Sequence, residues 1–70
     1  MSTYRYDKWI NNHGLEYYNI EKKTLFGWKE EKYWVVSRWY GSDIVRTDEE
    51  AKKEVMETVD RLIKAGHTVL

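Results

Sequence analysis

The chain contains no cysteine and no proline, and only four of its 70 residues are glycine. Without cysteine there are no disulfide staples, no thiolate metal ligands and no cysteine nucleophile. His13 and His67 are too few and too far apart to suggest a histidine metal site, and no metal or cofactor is expected. The glycines are scattered and match neither the phosphate-binding loop nor the dinucleotide fingerprint. Ser2, Ser37 and Ser42 stand in no local motif of an activated nucleophile. A chain this short also has little room to desolvate a reaction site, so an enzyme is not expected. Neither sign of charge is in excess: twelve Lys and Arg balance twelve Asp and Glu. The strong positive field typical of nucleic-acid binders is therefore missing. No apolar run approaches the roughly 18–20 residues that span a bilayer, and the N-terminus shows no signal-peptide core. The expectation is a cytoplasmic chain with no membrane partner, folded as one domain over residues 1–70.

What is present is unevenly spread. All eleven aromatics lie between Tyr4 and Tyr40, and the last thirty residues have none. Residues 1–46 carry eight Lys and Arg against six Asp and Glu, while residues 47–70 carry four against six. An aromatic, slightly basic front is followed by an aliphatic, slightly acidic back. No linker or repeat separates them, so they read as two layers of one domain.

The front reads as strands, because aromatic and β-branched residues are enriched and turn formers punctuate the runs. The first strand is expected over Thr3–Ile10, ending at Asn11-Asn12-His13-Gly14, where Asn and Gly tolerate positive φ. A second covers about Leu15 to Lys23 and a third about Lys32 to Tyr40, stopping at Gly41-Ser42. Between them Thr24 to Lys29 forms a hairpin connection that is unusually apolar for a tip. Its Leu25, Phe26 and Trp28 either fold back to cap the core or form a protruding knob. Asp43 to Arg46 offers a further short extended piece.

The back reads as a helix over residues 47–66. Thr47-Asp48-Glu49-Glu50 is a capping box, with three acids in the first turn to suit the helix dipole. Ala51, Val55, Val59, Leu62 and Ile63 recur at helical spacing, with Thr58 beside them and Met56 at the margin. Glu49–Lys53, Glu57–Arg61 and Asp60–Lys64 are i,i+4 pairs. Gly66 stands where a C′ glycine belongs, and His67 is placed to meet the last carbonyls. Residues 67–70 are a tail or a short strand. The fold class is then α+β: a three-stranded antiparallel β-meander packed on one C-terminal helix, with a short fourth strand at the C-terminus as an option.

One modest aliphatic stripe cannot cover eleven aromatics, and alternation sends half of every strand to the face away from the helix. With charge placed outward, that open face holds Arg5, Tyr17, Trp34, Arg38 and Tyr40, with Trp9 as a further member. Trp, Tyr and Arg dominate binding hot spots, so these residues, with Phe26 and Trp28 at the tip, are the candidate protein-binding set. The bland alternative is that the rings serve stability alone, since small domains struggle to build a core.

Lys22-Lys23-Thr24-Leu25-Phe26-Gly27-Trp28, followed by Thr47-Asp48-Glu49-Glu50-Ala51, resembles small bacterial and phage proteins with a Leu-Phe-Gly-Trp hairpin and a Thr-x-Glu-Glu-Ala helix start. The resemblance covers about Tyr17 to Lys64 and implies a phage or prophage accessory protein. More distantly, three strands followed by a helix is similar to AP2-like DNA-binding domains, whose sheet lies in the major groove. That likeness implies nucleic-acid contacts at Arg5, Lys22, Lys23, Trp34 and Arg38, against a net charge of zero. Two readings stand: a non-catalytic module binding a protein or a second copy of itself, and a nucleic-acid-binding module using the same sheet.

Overall fold

The structure is a computed structural model and describes residues 1–70. Five strands and one helix follow in the order β1 (Thr3–Ile10), β2 (Glu16–Thr24), β3 (Gly27–Arg38), β4 (Asp43–Ile44), α1 (Asp48–Lys64) and β5 (Thr68–Val69). They make one mixed sheet in the spatial order β4-β3-β2-β1-β5, with α1 packed against β2, β3 and β5. The α+β class and the antiparallel β1-β2-β3 meander agree with the sequence reading, but the sheet has five strands. Both additions are two-residue edges: β4 pairs with Ser37 and Arg38, and β5 runs parallel to Thr3 and Tyr4 of β1. No helix is long and apolar enough to cross a membrane.

The β1–β2 connection forms because Asn11 folds back on its own backbone. Its Oδ1 accepts from the N–H groups of His13 and Leu15, and Gly14 completes the turn at φ +74°. The β2–β3 connection is tighter than expected. Strand β3 begins at Gly27 rather than Lys32, so the loop shrinks to Leu25 and Phe26. The Thr24 hydroxyl clasps it, donating to the Gly27 carbonyl at 2.8 Å and accepting from the Phe26 N–H. Gly27 sits at φ +116°, which side-chain-bearing residues rarely adopt.

The helix starts as read. Thr47 accepts from the Glu50 N–H, and Glu50 accepts from the Thr47 N–H. Ala51, Val55 and Val59 are buried, and Leu62 packs beside them. Ile63 instead faces outward, because it lies about 100° around the axis from Leu62. Of the three expected helix ion pairs only Asp60–Lys64 forms; Asp48–Lys52 is another. His67 meets the Leu62 carbonyl through its backbone N–H, while its ring Nδ1 accepts from the Ser2 N–H and the ring stacks edge-on against Tyr4. That anchorage makes residues 68–69 a strand rather than a loose tail.

Tyr18, Ile20, Trp34 and Val36 meet the helix stripe to form the core. Trp34 is the main correction to the expected open face. It lies opposite Tyr18 in the β2–β3 register and is 5% exposed beneath the helix. Two irregularities in β3 explain the error. One extra residue falls at Glu31, between the partners of Ile20 and Glu21, and another at Val36, between the partners of Tyr17 and Glu16. The second breaks the alternation that tied Trp34 to Arg38.

Candidate functional site

The sheet face away from α1 is covered by no part of the chain. Side chains from three strands line up on it because β1–β2 and β2–β3 registers put Trp9 opposite Tyr17, Asp7 opposite Asn19, and Tyr17 and Asn19 opposite Val35 and Tyr33. Tyr17 and Tyr33 meet edge to face, with centroids 6.2 Å apart. Trp9 and Tyr33 remain 44% and 57% exposed. Beside these rings is a shallow depression of about 180 Å³ lined by Asn11, Leu15, Tyr17, Glu30 and Tyr33. Next to it several polar groups are paired within the chain. The Trp9 indole N–H donates to Asn19 Oδ1 at 3.1 Å, and the Asn19 amide donates to Glu30 at 3.1 Å. Asn19 is consequently buried without leaving a donor or acceptor unmet. Nearer the hairpin, Arg5 pairs with Glu21 at 2.9 Å and lies 4.2 Å over the Trp28 ring.

The hairpin tip is the second exposed feature. Leu25 and Phe26 do not fold back onto the core; they project at 98% and 99% exposure. Trp28 departs from them, half-buried under Arg5. Lys22, Lys23 and Lys29 just behind the apex take part in no ion pair.

At the opposite end Trp39 and Tyr40 are exposed and held at φ +51° and +54°. The Tyr40 N–H donates to the Gly14 carbonyl and its hydroxyl to the Asn12 carbonyl, both at 3.0 Å. Arg38 there is paired with Asp43.

The expected residues therefore divide. Arg5 and Tyr17 share the open face, Phe26 is at the apex, and Tyr40 is bound to the β1–β2 turn. Trp34 is in the core, with the Lys32 ammonium 5.1 Å over its ring. Of the five expected nucleic-acid contacts, Trp34 is buried and Arg5 and Arg38 are in ion pairs, which leaves Lys22 and Lys23 free. Asn19 shares the open face with Tyr17, as alternation along β2 requires, whereas Tyr33, Val35 and Glu30 on that face were not anticipated. The signal for them was the pairing of Tyr18 with Trp34, which fixes Tyr33 and Val35 on the side of Tyr17.

One polar cluster lies on the helix side of the sheet, partly open to solvent. Lys8 Nζ reaches Glu16 at 2.7 Å and Asp48 at 2.9 Å, Tyr18 donates to the same Asp48 oxygen, and Ser37 donates to Glu16. The Lys8 hydrogen bond, with help from Tyr18, lowers Asp48 to about 2. Lys8 likewise lowers Glu16, and the two carboxylates raise Lys8. Burial, reinforced by Asp48, raises Tyr18. These groups join β1, β2 and the helix N-terminus. No group of three or more His, Asp or Glu side chains is arranged to hold a metal ion. No protein-family model, no curated protein and no solved structure matches this chain.

Proposed function

We propose that the chain is a small non-catalytic interaction module whose uncovered sheet face binds protein, with a second copy of the chain as the first partner to test. The observation that supports this reading is the exposure of Trp9 and Tyr33 on a face where the Trp9 indole, the Asn19 amide and the Arg5 guanidinium already have partners within the chain. The rings gain by losing water, and those three paired groups would not be stranded by burial. Pairing along the β3 edge is disfavoured by comparison. The outer edge of β3 is charged through Lys29-Glu30-Glu31-Lys32 and kinked at Glu31, both devices that keep edges apart.

Sedimentation velocity over a micromolar to near-millimolar range tests the self-association arm. The expected result is a reversible dimer that Tyr33→Glu dissolves. For a foreign partner, the same variant is the control in affinity capture. A wild-type chain that stays monomeric and captures the same proteins as Tyr33→Glu overturns the reading.

A further inference from the structure

We propose that the β2–β3 hairpin tip is a peripheral docking element for an anionic phospholipid surface. Leu25 and Phe26 are almost wholly exposed, yet the turn that carries them is fastened by the Thr24 hydroxyl. Two apolar side chains held in water by a fixed turn contribute nothing to the core, and their burial is left to something outside the molecule. Immediately behind them the register sets Lys22 directly opposite Lys29, and Lys23 opposite Trp28. Like charges directly opposite one another weaken a strand pair, and no carboxylate neutralises any of these three lysines. Of the next acids along the strands, Glu21 is neutralised by Arg5, Glu30 is turned to the Asn19 amide, and Glu31 forms no ion pair with any of the three lysines.

From apex to base the order is the apolar pair, then Lys23 beside Trp28, whose indole carries the Arg5 guanidinium, then the Lys22–Lys29 pair. A bilayer surface presents the matching order. Acyl chains receive Leu25 and Phe26, Trp28 lies at the interface just behind them with Lys23, and lipid phosphates meet Lys23, Lys22 and Lys29. Lysine stems also cover apolar surface while their charges stay in the polar layer. A nucleic-acid groove offers phosphates too, but the arginine nearest the tip is occupied by Glu21, and the leading side chains, Leu25 and Phe26, are apolar and would meet the polar groove before any lysine did. The expectation of no membrane partner rested on the lack of a span, and docking at headgroup depth needs none.

The test is co-sedimentation of the full chain with phosphatidylcholine vesicles, with and without phosphatidylserine, beside duplex DNA at equal phosphate concentration. Binding is expected on the phosphatidylserine vesicles and at least about 10-fold weaker on phosphatidylcholine alone. Phe26→Ser is expected to weaken it by about 10-fold or more. Lys22→Gln and Lys29→Gln should weaken it about 5-fold each, with unchanged circular dichroism and no loss of thermal stability, since either change relieves a like-charge pair. Tyr33→Glu, on the open face, should leave vesicle binding intact, which separates this proposal from the protein-binding one. Failure of the folded chain to bind phosphatidylserine vesicles, binding that ignores Phe26→Ser, or tighter binding to DNA than to vesicles would each overturn it.

Discussion

At Gly14 the backbone sits at φ +74°, and a Cβ built there would fall 2.5 Å from the Tyr40 backbone nitrogen and 2.7–2.9 Å from its ring. The close approach matters because Tyr40 itself is held in a left-handed conformation by its bonds to the Gly14 and Asn12 carbonyls. Left-handed backbone costs an L-residue roughly 1–2 kcal/mol, so Trp39 and Tyr40 in succession need that support. Gly14→Ala would add its own strain and push Tyr40 off its two acceptors. The expected loss is more than about 2 kcal/mol, and the melting temperature should fall by about 8 °C or more. A thermal melt checks this directly, and an unchanged midpoint would mean the turn reorganises freely.

Among the elements, α1 depends on tertiary contacts at its first turn as well as on its own cap. Lys8 of β1 and Tyr18 of β2 both reach Asp48, the first helical residue. The sign of the pH dependence follows from the carboxylates. Asp48 is lowered from 3.8 to about 2 and Glu16 is lowered from 4.5, so their contribution is full above those ordinary values and is lost as pH falls toward the folded ones. Lys8 is raised above 10.5, so its share is full below that value and is lost only as the solution becomes strongly alkaline. Asp48→Asn should therefore flatten the acid limb of stability between about pH 4 and pH 2, measured by urea titration at several pH values, with little change in slope above it. An acid limb as steep as wild type would move the linkage onto other carboxylates. The same elements show why the sequence was legible in places. The helix and its cap are set by residues three or four apart, and β1 is closed by Asn and Gly, so local pattern suffices. Strand β3 is different, because its turn consists of Leu25 and Phe26 and two extra residues interrupt its alternation. Only the pairing of Tyr18 with Trp34 reveals which face Trp34 occupies, and that is a long-range fact.

At the scale of the whole molecule, seven buried hydrophobics hold a 70-residue chain together. A chain of this length has roughly 4–10 kcal/mol of stability in total, so the core has little surplus. Ile20, 2% exposed at the centre of β2, should lose about 2–5 kcal/mol on replacement by Ala, enough to unfold a large fraction of molecules. The open-face rings answer a different question. Were they a second core, removing one would cost as much; as a binding surface, they should cost little in the isolated chain. Tyr33 contributes its edge contact with Tyr17, and such a pair is worth about 0.5–1.5 kcal/mol. Tyr33→Ser should accordingly shift the urea midpoint far less than Ile20→Ala, with the slope of the transition unchanged. A Tyr33→Ser loss equal to that of Ile20→Ala, measured at a concentration where the chain is monomeric, would make the rings structural and remove the observation on which the protein-binding reading rests.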